Sequence, residues 1–404
     1  MEFVIEQADL KNELGFIQGV IERKETIPVL SNALVESVGE NTIRITGTDL
    51  DVTQRCDITA EIVKPGKVCL LGRKLFDIVR SFDGGKIRFR KEAETDWVEI
   101  TAGRGRYRLA GLKAEEFPEL PNSKAAPNSL PADVFSYFIN HTSFAVTAEV
   151  SRYALSGAKL IYNGEKAIMV ATDGHRLALV EKVLKGKSDE RFDALIPRKA
   201  LIELQKIARW IETTTTEPIS FGEDQNHLYF QAGGKLLTAR KLSGTFPNYE
   251  MVLPKDVENK VTFDLDQTRR AVYRLSLLST EINKPVKITI REGEIELKAF
   301  GTDIGEGVEI VPADYDGEEI TIGFNSRYLL EFFNSVTSLE TAESDENTES
   351  TSTDASGSAA APAKSGSPKT RILLEFSQPN MPTQMRIEAN TGYDYRYVVM
   401  PLRL

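Results

Sequence analysis

The sequence predicts an α+β fold made of three copies of one structural unit, each with two helices and about eight strands. Two observations indicate this fold. Four landmarks recur in the same order three times along the 404 residues, and the stretches between them alternate apolar and polar residues, as half-buried strands do. Each copy, at about 120 residues, is long enough to bury its own core. The predicted boundaries are 1–127, 128–253 and 254–404.

The first landmark is a helix whose first residues include an aspartate, at Asp9, Asp133 and Asp264. In the first copy, apolar residues such as Leu10 and Leu14 follow at helical spacing. An aspartate at this place is typical of an N-cap and is favoured by the helix dipole. We therefore expect each of these aspartates to begin a helix.

The other three landmarks lie at nearly constant distances from the first. A strand ends in Thr-Asp, a second helix begins with basic residues, and an apolar residue precedes a proline. Any one landmark could arise by coincidence. Four landmarks in the same order in three copies are poorly explained by coincidence. The Thr-Asp pairs end at Asp49, Asp173 and Asp303, the basic residues include Lys74, Lys199 and Arg327, and the prolines are Pro118, Pro247 and Pro401.

The third copy contains an additional segment, residues 337–370, which is rich in Ser and Thr and has no aromatic residue. Without this segment the spacing of the third copy agrees with the other two. Such a composition cannot bury enough apolar surface to fold, so we predict a disordered, low-complexity surface loop. Its six acidic residues leave open an alternative role as an acidic tail for a partner.

The composition excludes several classes of protein. Only two cysteines occur, Cys56 and Cys69, which argues against a disulfide scaffold or a cysteine-rich zinc module. The first residues do not resemble a signal peptide and no apolar run is long enough to span a membrane, so we expect a cytoplasmic protein. Glycine motifs for phosphates or dinucleotides are missing and the three histidines lie apart, so we expect no metal and no cofactor.

Basic residues concentrate on the predicted helices, although the whole chain has a net charge of −10. Lys and Arg on helix faces can contact phosphates without reading a base sequence. The pattern predicts a surface that faces a polyanion, although a solvated basic face is the alternative for any single helix. The residues are Lys11, Arg23, Lys24, Arg73, Lys74, Arg80, Arg198, Lys199, Lys206, Arg209, Arg269, Arg270, Arg274 and Arg327, with Arg152 just beyond a helix.

Four segments make the sequence similar to the bacterial sliding clamp family, the beta subunits of DNA polymerase III. They are 171–178 (ATDGHRLA), 197–199 (PRK), 246–249 (FPNY) and 397–404 (YVVMPLRL). The similarity extends over the chain except 337–370. It implies a ring of two three-domain chains joined head to tail, with helices inside and sheets outside. It also implies a non-catalytic processivity factor, which can slide on duplex DNA because its phosphate contacts are weak and non-specific.

The resemblance implies the partners as well. They are double-stranded DNA, the catalytic subunit of DNA polymerase III, the clamp loader, other polymerases and repair proteins that carry short clamp-binding peptides, and a second copy of the chain. A polymerase tied to the ring would gain effective concentration at the primer end.

Residues that face DNA in the family can be transferred to this chain by position. The chain departs from the family at two of these places. Lys24 stands where Arg is frequent, and Ala154 stands where a second aromatic residue often follows Tyr153, which weakens the case for base stacking there. The DNA-binding residues implied are Lys24, Arg73, Arg80, Arg152, Tyr153, Arg198 and Lys199.

The family's partner pocket lies between the second and third domains and binds short linear peptides. An apolar groove that contains a methionine can adapt to several peptides. Met251 stands where a basic residue is frequent, so the preferred peptide can differ from that of relatives. The implied pocket residues are Leu155, Thr172, Gly174, His175, Arg176, Leu177, Pro247, Val252, Val398, Met400, Pro401, Leu402 and Arg403.

The family's dimer contact joins the edge of domain one to the edge of domain three. Edge strands can continue a sheet across chains, and opposite charges would set the head-to-tail direction. The basic and apolar edge is Arg104, Arg106, Tyr107 and Leu109, and its acidic and apolar complement is Leu277, Leu278, Asp303, Glu306 and Glu309.

Two other functions remain open on the residues alone. One is an enzyme on the repeated scaffold, for example a hydrolase that uses acid pairs such as Asp49 with Asp51 or Glu318 with Glu319. The other is a peptide-binding scaffold that does not bind DNA. The missing catalytic motifs argue against the first, and retention on circular duplex would separate a clamp from the second.

Overall fold

The structure is a computed structural model and describes residues 1–21, 27–121, 126–149, 152–184, 191–255, 257–278, 284–301, 305–346 and 370–403. The chain forms two compact units. The first contains Met1–Tyr137 and Asp189–Ser243, and the second contains Phe138–Ser188 and Gly244–Leu404. The three predicted copies are therefore distributed over two compact units, and their boundaries stay a prediction.

Six helices occur in the described parts of the chain, two in each predicted copy, as the sequence predicts. No helix among the described residues is both long enough and apolar enough to cross a membrane. The helices are α1 (Gln7–Ile17), α2 (Gly72–Arg80), α3 (Ala132–Thr142), α4 (Arg198–Thr214), α5 (Leu265–Ser276) and α6 (Ser326–Glu346).

The strands outnumber the helices in every copy. In the first copy they are β1 (Glu2–Glu6), β2 (Asn32–Val38), β3 (Thr42–Thr48), β4 (Val52–Thr59), β5 (Glu61–Lys64), β6 (Lys67–Leu71), β7 (Lys86–Lys91), β8 (Val98–Ala102), β9 (Gly105–Leu109) and β10 (Gly111–Leu112). In the second they are β11 (Asn128–Leu130), β12 (Gly157–Tyr162), β13 (Lys166–Thr172), β14 (Arg176–Val183), β15 (Phe192–Pro197), β16 (Ile219–Glu223), β17 (His227–Ala232) and β18 (Lys235–Arg240). In the third they are β19 (Asn259–Asp264), β20 (Pro285–Arg291), β21 (Glu294–Gly301), β22 (Gly305–Asp314), β23 (Ile320–Asn325), β24 (Arg371–Phe376), β25 (Thr383–Ile387) and β26 (Asp394–Val399).

Strand β7 alternates as its sequence predicts. In β7, Ile87 and Phe89 are buried, whereas Lys86, Arg88 and Arg90 point to solvent. This period of two indicates a sheet with one face on the core and one face in water.

Two antiparallel sheets build the first compact unit. One has the strand order β5-β1-β7-β8-β9, and the other has the order β10-β6-β2-β3-β4-β18-β17-β16-β11. In the second sheet, β4 of the first copy pairs with β18 of the second, so one sheet joins two copies.

The second compact unit repeats this junction. Its strands follow the order β12-β13-β14-β26-β25-β24-β19-β22-β21-β20-β23. Here β14 of the second copy pairs with β26 of the third, with Arg176 opposite Val399. The repeated sequence unit thus produces a repeated strand junction between successive copies.

Only one of the three predicted aspartate N-caps is a cap. The Asp264 carboxylate accepts a hydrogen bond from the Gln267 amide at 2.8 Å, which is the expected N-cap geometry. Asp9 and Asp133 instead lie inside the first turn, and Glu6 precedes α1 without a side-chain cap. The expectation was wrong for these two because their helices begin earlier; both still lie at the positive end of the helix dipole.

The third copy also differs from its prediction near residue 337. Helix α6 continues to Glu346, so residues 337–346 are helical where a disordered loop was expected. This stretch has no Gly or Pro and contains the helix formers Leu339, Glu340, Ala342 and Glu343. The prediction of a loop gave more weight to the Ser and Thr content of the whole segment than to these residues. Residues 347–369 of the predicted loop lie outside the described residues.

Candidate nucleic-acid interface and peptide groove

The Thr-Asp landmark of the first copy forms a hydrogen-bonded hairpin turn between β3 and β4. The Asp49 carboxylate accepts from the amides of Asp51 at 3.0 Å and Val52 at 2.6 Å. The Thr48 hydroxyl donates to the Val52 carbonyl at 3.2 Å and accepts from the Leu50 amide at 3.0 Å. The two side chains replace the backbone bonds that a tight turn leaves unmade.

The second copy has the same turn between β13 and β14. The Asp173 carboxylate accepts from the amides of His175 at 2.9 Å and Arg176 at 3.0 Å. The Thr172 hydroxyl donates to the Arg176 carbonyl at 2.6 Å and accepts from the Gly174 amide at 3.1 Å. The Thr-Asp pair therefore recurs in these two copies because its side chains make the hydrogen bonds that close the hairpin turn. The third pair, ending at Asp303, lies outside the described residues.

An apolar floor lies beside the second turn, within the second compact unit. Buried side chains of Leu177 and Val398, on the paired strands β14 and β26, form it together with Ile168, Val170 and Leu179. Phe246, Tyr249 and Leu253 pack against this floor and are only partly buried. The sequence predicted Leu177 and Val398 for the peptide pocket, and the structure brings them together.

The end of the chain is held next to this floor by backbone hydrogen bonds. The Met400 amide donates to the His175 carbonyl at 2.9 Å, and the Leu402 amide donates to the Gly323 carbonyl at 2.8 Å. The Met400 side chain is 40% exposed and Met251 is 79% exposed. Exposed methionines beside an apolar floor can adapt to different apolar side chains of a peptide.

Four further predicted pocket residues are not part of this core cluster. They are Leu155, Pro247, Val252 and Arg403, and Pro401 likewise lies outside the cluster; the place of all five in the pocket stays a prediction. Val252 is 38% exposed and its amide donates to the Tyr249 carbonyl at 3.1 Å, so its backbone is tied to the floor.

Arg176 is buried rather than presented to a peptide, because only 5% of it is exposed. Its guanidinium donates to the Asp173 carboxylate at 3.1 Å and to the Phe144 carbonyl at 2.7 Å, and it forms an ion pair with Glu331. It also lies 4.4 Å from the centre of the Tyr328 ring. Arg176 therefore holds the second Thr-Asp turn in place beside the apolar floor, and its role in a peptide pocket stays a prediction.

The groups around the Arg176 guanidinium favour its charged form. Burial opposes ionisation, but nearby Tyr397, Glu331 and Asp173 outweigh it and raise the pKa of Arg176. The sequence did not indicate Glu331 or Tyr328 as partners, because both lie far along the chain and no local spacing connects them to the turn.

Helix α2 carries two predicted DNA-facing residues. Arg73 lies in its first turn and is half-buried, while Arg80 is its last residue and is exposed. The Arg80 guanidinium pairs with Asp77 at 3.0 Å and lies 5.5 Å from the centre of the Phe76 ring. The third residue predicted in this copy, Lys24, lies outside the described residues.

Helix α4 begins with the adjacent cations Arg198 and Lys199. Arg198 is exposed, whereas the Lys199 ammonium forms an ion pair with the Asp49 carboxylate of the first Thr-Asp turn. This contact ties α4 to the hairpin of the first copy within the first compact unit.

In the second compact unit, Arg152 pairs with Glu149 at 3.0 Å and donates to the Asp173 carbonyl at 3.1 Å. Next to it, Tyr153 is 58% exposed. The aromatic ring of Tyr153 is therefore accessible to a ligand, whereas the Arg152 side chain already has partners within the protein.

The basic residues of α5 are largely neutralised by acids. Asp266 pairs with Arg269 at 2.7 Å and with Arg270, and the hydrogen bond from Arg269 lowers the pKa of Asp266. Arg274 donates to both carboxylate oxygens of Glu309, at 2.6 and 2.7 Å. The cations of this helix thus form local ion pairs, and the predicted polyanion-facing role of α5 stays a prediction.

The predicted basic dimer edge lies on β9, which pairs only with β8 among the described strands. Arg106 lies 3.6 Å from the Glu99 carboxylate, and Tyr107, 42% exposed, packs against Phe82 at a centroid distance of 5.4 Å. One edge of β9 thus has backbone groups available for another strand. Arg104 precedes β9 in the hairpin and Leu109 ends the strand.

Two acids of the predicted complement, Glu306 and Glu309, lie on β22. This strand pairs with β21 along its length but with β19 only at Asp314 and Ala313. Most of its other edge is therefore unpaired in the described structure. Sequence reasoning missed two exposed apolar residues of this strand, Val308 and Ile310, although their alternation with glutamate was visible.

The acids of this complement have partners within the chain. Glu306 lies 3.3 Å from Lys298, and Glu309 binds Arg274. Leu277, at the end of α5, is 64% exposed, and Leu278 is partly exposed. The fifth predicted residue, Asp303, lies outside the described residues.

The described residues contain no cluster of three or more His, Cys, Asp or Glu side chains that could hold a metal. Both cysteines are buried and free, and burial raises the pKa of Cys69 to about 12, which keeps the thiol protonated. Of the acid pairs considered for catalysis, Asp49 is engaged in its turn and in the Lys199 ion pair. This arrangement gives Asp49 a structural role.

Comparisons with known proteins agree over the whole chain. Sequence models of the N-terminal, central and C-terminal domains of the DNA polymerase III beta subunit match residues 1–121, 129–248 and 250–344. The beta sliding clamps of Caulobacter vibrioides and Pseudomonas aeruginosa are each 31% identical, with 100% of both chains covered. The crystal structure of the Pseudomonas aeruginosa DNA polymerase sliding clamp has a TM-score of 0.83 at 30% identity, again over 100% of both chains. The chain therefore belongs to the DNA polymerase III beta subunit family, the bacterial sliding clamps.

Proposed function

We propose that two copies of this chain join head to tail and close a ring around duplex DNA, with helices inside and sheets outside. Family membership makes the chain a DNA sliding clamp and a non-catalytic processivity subunit of DNA polymerase III. The observation that carries the ring proposal is the repeat: three α+β copies per chain give six in a dimer, and cyclic closure uses the same contact twice.

The boundaries proposed for the three domains are 1–127, 128–253 and 254–404. The proposed DNA contacts are weak and independent of sequence, because exposed cations such as Arg80 and Arg198 attract phosphates electrostatically. Arg73, Arg152, Tyr153, Lys199 and Lys24 complete the proposed set. Topological linkage, rather than strong binding, would keep the ring on DNA while it slides.

The proposed partner site is the groove above Leu177 and Val398. Its buried apolar floor and the exposed Met400 support binding of a short linear peptide with apolar anchors. We propose that the polymerase catalytic subunit, the clamp loader, other polymerases and repair proteins bind here by such peptides, in the cytoplasm. One shared groove would make these partners compete.

The test is a topological release assay. The protein is loaded with a bacterial clamp loader onto nicked circular duplex, and DNA-bound protein is separated by gel filtration. We expect the protein to stay on intact circles and to dissociate when a restriction enzyme linearises them. Retention that survives cutting would contradict encirclement. Failure to load, with peptide binding intact, would instead support a scaffold that does not bind DNA.

A further inference from the structure

A second pocket lies at the end of β18, within the first compact unit. Its volume is about 490 Å³, within the range of pockets that hold small ligands or peptide side chains. It is lined by Leu50, Gln225, Asn226, His227, Arg240, Lys241, Leu242 and Ser243. None of these residues belongs to the DNA-facing, peptide-groove or dimer sets above.

This pocket occupies the place in copies one and two that the peptide groove occupies in copies two and three. Both sites adjoin a Thr-Asp turn with the same side-chain hydrogen bonds. In both, the strand of the following copy ends beside the turn. The Arg240 amide donates to the Asp51 carbonyl at 2.8 Å, as the Met400 amide donates to the His175 carbonyl at 2.9 Å.

The turn beside this pocket contains a backbone outlier. Leu50 has φ of +77°, a conformation that costs an L-residue free energy, and the equivalent residue of the second turn is Gly174 with φ of +90°. The Leu50 side chain is nevertheless 53% exposed, so burial does not compensate the strain. An exposed, strained leucine at a pocket suggests a contact with a ligand.

The charge of the lining favours an anionic ligand. The lining residues include Arg240 and Lys241 and no acid; of the acids next to them in the chain, Asp224 is engaged by hydrogen bonds within its turn and Asp51 is exposed. Lys241 pairs with Glu223 at 2.5 Å outside the lining, whereas Arg240 is exposed. Arg240 takes the position that Met400 has in the peptide groove, so the two quasi-equivalent sites differ in chemistry.

Three lining residues, Gln225, Asn226 and His227, belong to a hydrogen-bonded turn between β16 and β17. The Asp224 carboxylate accepts from the Tyr229 hydroxyl at 2.5 Å and from the amides of Asn226 at 2.8 Å and His227 at 2.7 Å. Burial opposes the ionised form, but these hydrogen bonds outweigh it and lower the pKa of Asp224 to about 2. These hydrogen bonds hold this part of the lining in place.

We propose that this pocket is a second docking site on each chain, for a short linear peptide that carries alternating apolar and acidic residues. An apolar side chain packs against Leu50 and Leu242, and a carboxylate of the peptide pairs with Arg240. The site would let an acidic partner bind while another peptide occupies the groove at Met400.

The probe is a fluorescein-labelled peptide of alternating Leu and Glu, titrated with the full-length protein and followed by anisotropy. Arg240→Glu should weaken its binding about tenfold, because a favourable charge pair becomes a repulsive one. Leu50→Gly should weaken it about fivefold, through loss of apolar contact area, and should fold normally because glycine tolerates this φ. Met400→Ala, in the other groove, should leave this binding unchanged.

A second peptide, with Lys in place of each Glu, shows whether Arg240→Glu removes an ion pair with the peptide or damages the site in general. Arg240→Glu should bind the basic peptide more tightly than the unmodified protein does. The proposal is overturned if neither Arg240→Glu nor Leu50→Gly changes binding of the acidic peptide. It is also overturned if Arg240→Glu weakens binding of a short DNA duplex as strongly, since the site would then be part of a phosphate-facing surface.

Discussion

The ammonium group of Lys199 pairs with the carboxylate of Asp49, which also holds the turn after β3. Arg198, one residue earlier, is exposed at the start of α4. A cation that must leave an existing ion pair gains less free energy from a phosphate than an unpaired cation does. Arg198 and Lys199 are adjacent cations in the sequence, but we expect a phosphate contact of Arg198 to contribute more binding free energy than one of Lys199.

Arg198→Ala should weaken binding to a short duplex and reduce the slope of log K against log salt by roughly 1, the value of one phosphate contact. Lys199→Ala should change this slope clearly less, because its ammonium is engaged with Asp49. Anisotropy of a labelled duplex at several KCl concentrations measures both slopes. Lys86→Ala, an exposed cation on β7, is the matched control. Equal slopes for the two helix variants would refute the distinction.

At the scale of elements, helix α1 of the first copy and strand β18 of the second are joined by a buried ion pair. Lys235 is 2% exposed, and its ammonium donates to both carboxylate oxygens of Glu13 at 2.5 Å. It also lies 3.8 Å from the centre of the Trp210 ring and 4.4 Å from that of Phe16. These contacts offset the desolvation of the ammonium and orient α1 and α4 on the shared sheet.

Removing one member of this pair should be far more harmful than removing both. Lys235→Met or Glu13→Leu alone should lower the free energy of unfolding by about 3–5 kcal/mol, because each leaves the remaining charged side chain buried without its ion-pair partner. The double variant Glu13→Leu/Lys235→Met should recover most of this loss. Urea unfolding of the four proteins gives the coupling energy. Additive losses in the double variant would show that the two side chains act independently.

The elements that the sequence predicted are those that depend on short-range order. Helical periodicity indicated the first helix of each copy, and basic residues indicated the start of the second. The Thr-Asp pairs were recognisable because the hydrogen bonds of their turns span only a few residues. The partners of Arg176 and Lys235 were not predictable in this way. Glu331 and Glu13 lie far along the chain from these cations, and only the pairing of β14 with β26 and of β4 with β18 brings the copies together.

At the scale of the whole molecule, head-to-tail closure needs two different surfaces that fit each other. Strand β9 in the first compact unit has basic residues and an edge without a partner in the described structure. Strand β22 in the second has glutamates, exposed Val308 and Ile310, and an edge that β19 covers only at its end. A two-stranded contact between β9 of one chain and β22 of another would continue a sheet across the dimer.

Reversing the basic edge should therefore separate the dimer. Arg104→Glu/Arg106→Glu should move the protein from dimer to monomer at low micromolar concentration, because like charges would face Glu306 and Glu309. Light scattering measures the mass. Lys64→Glu/Arg90→Glu makes the same charge change elsewhere on that sheet and should remain dimeric. Mixing the monomeric variant with Glu306→Arg chains should restore part of the dimer, and an undiminished dimer in the first variant would reject this interface.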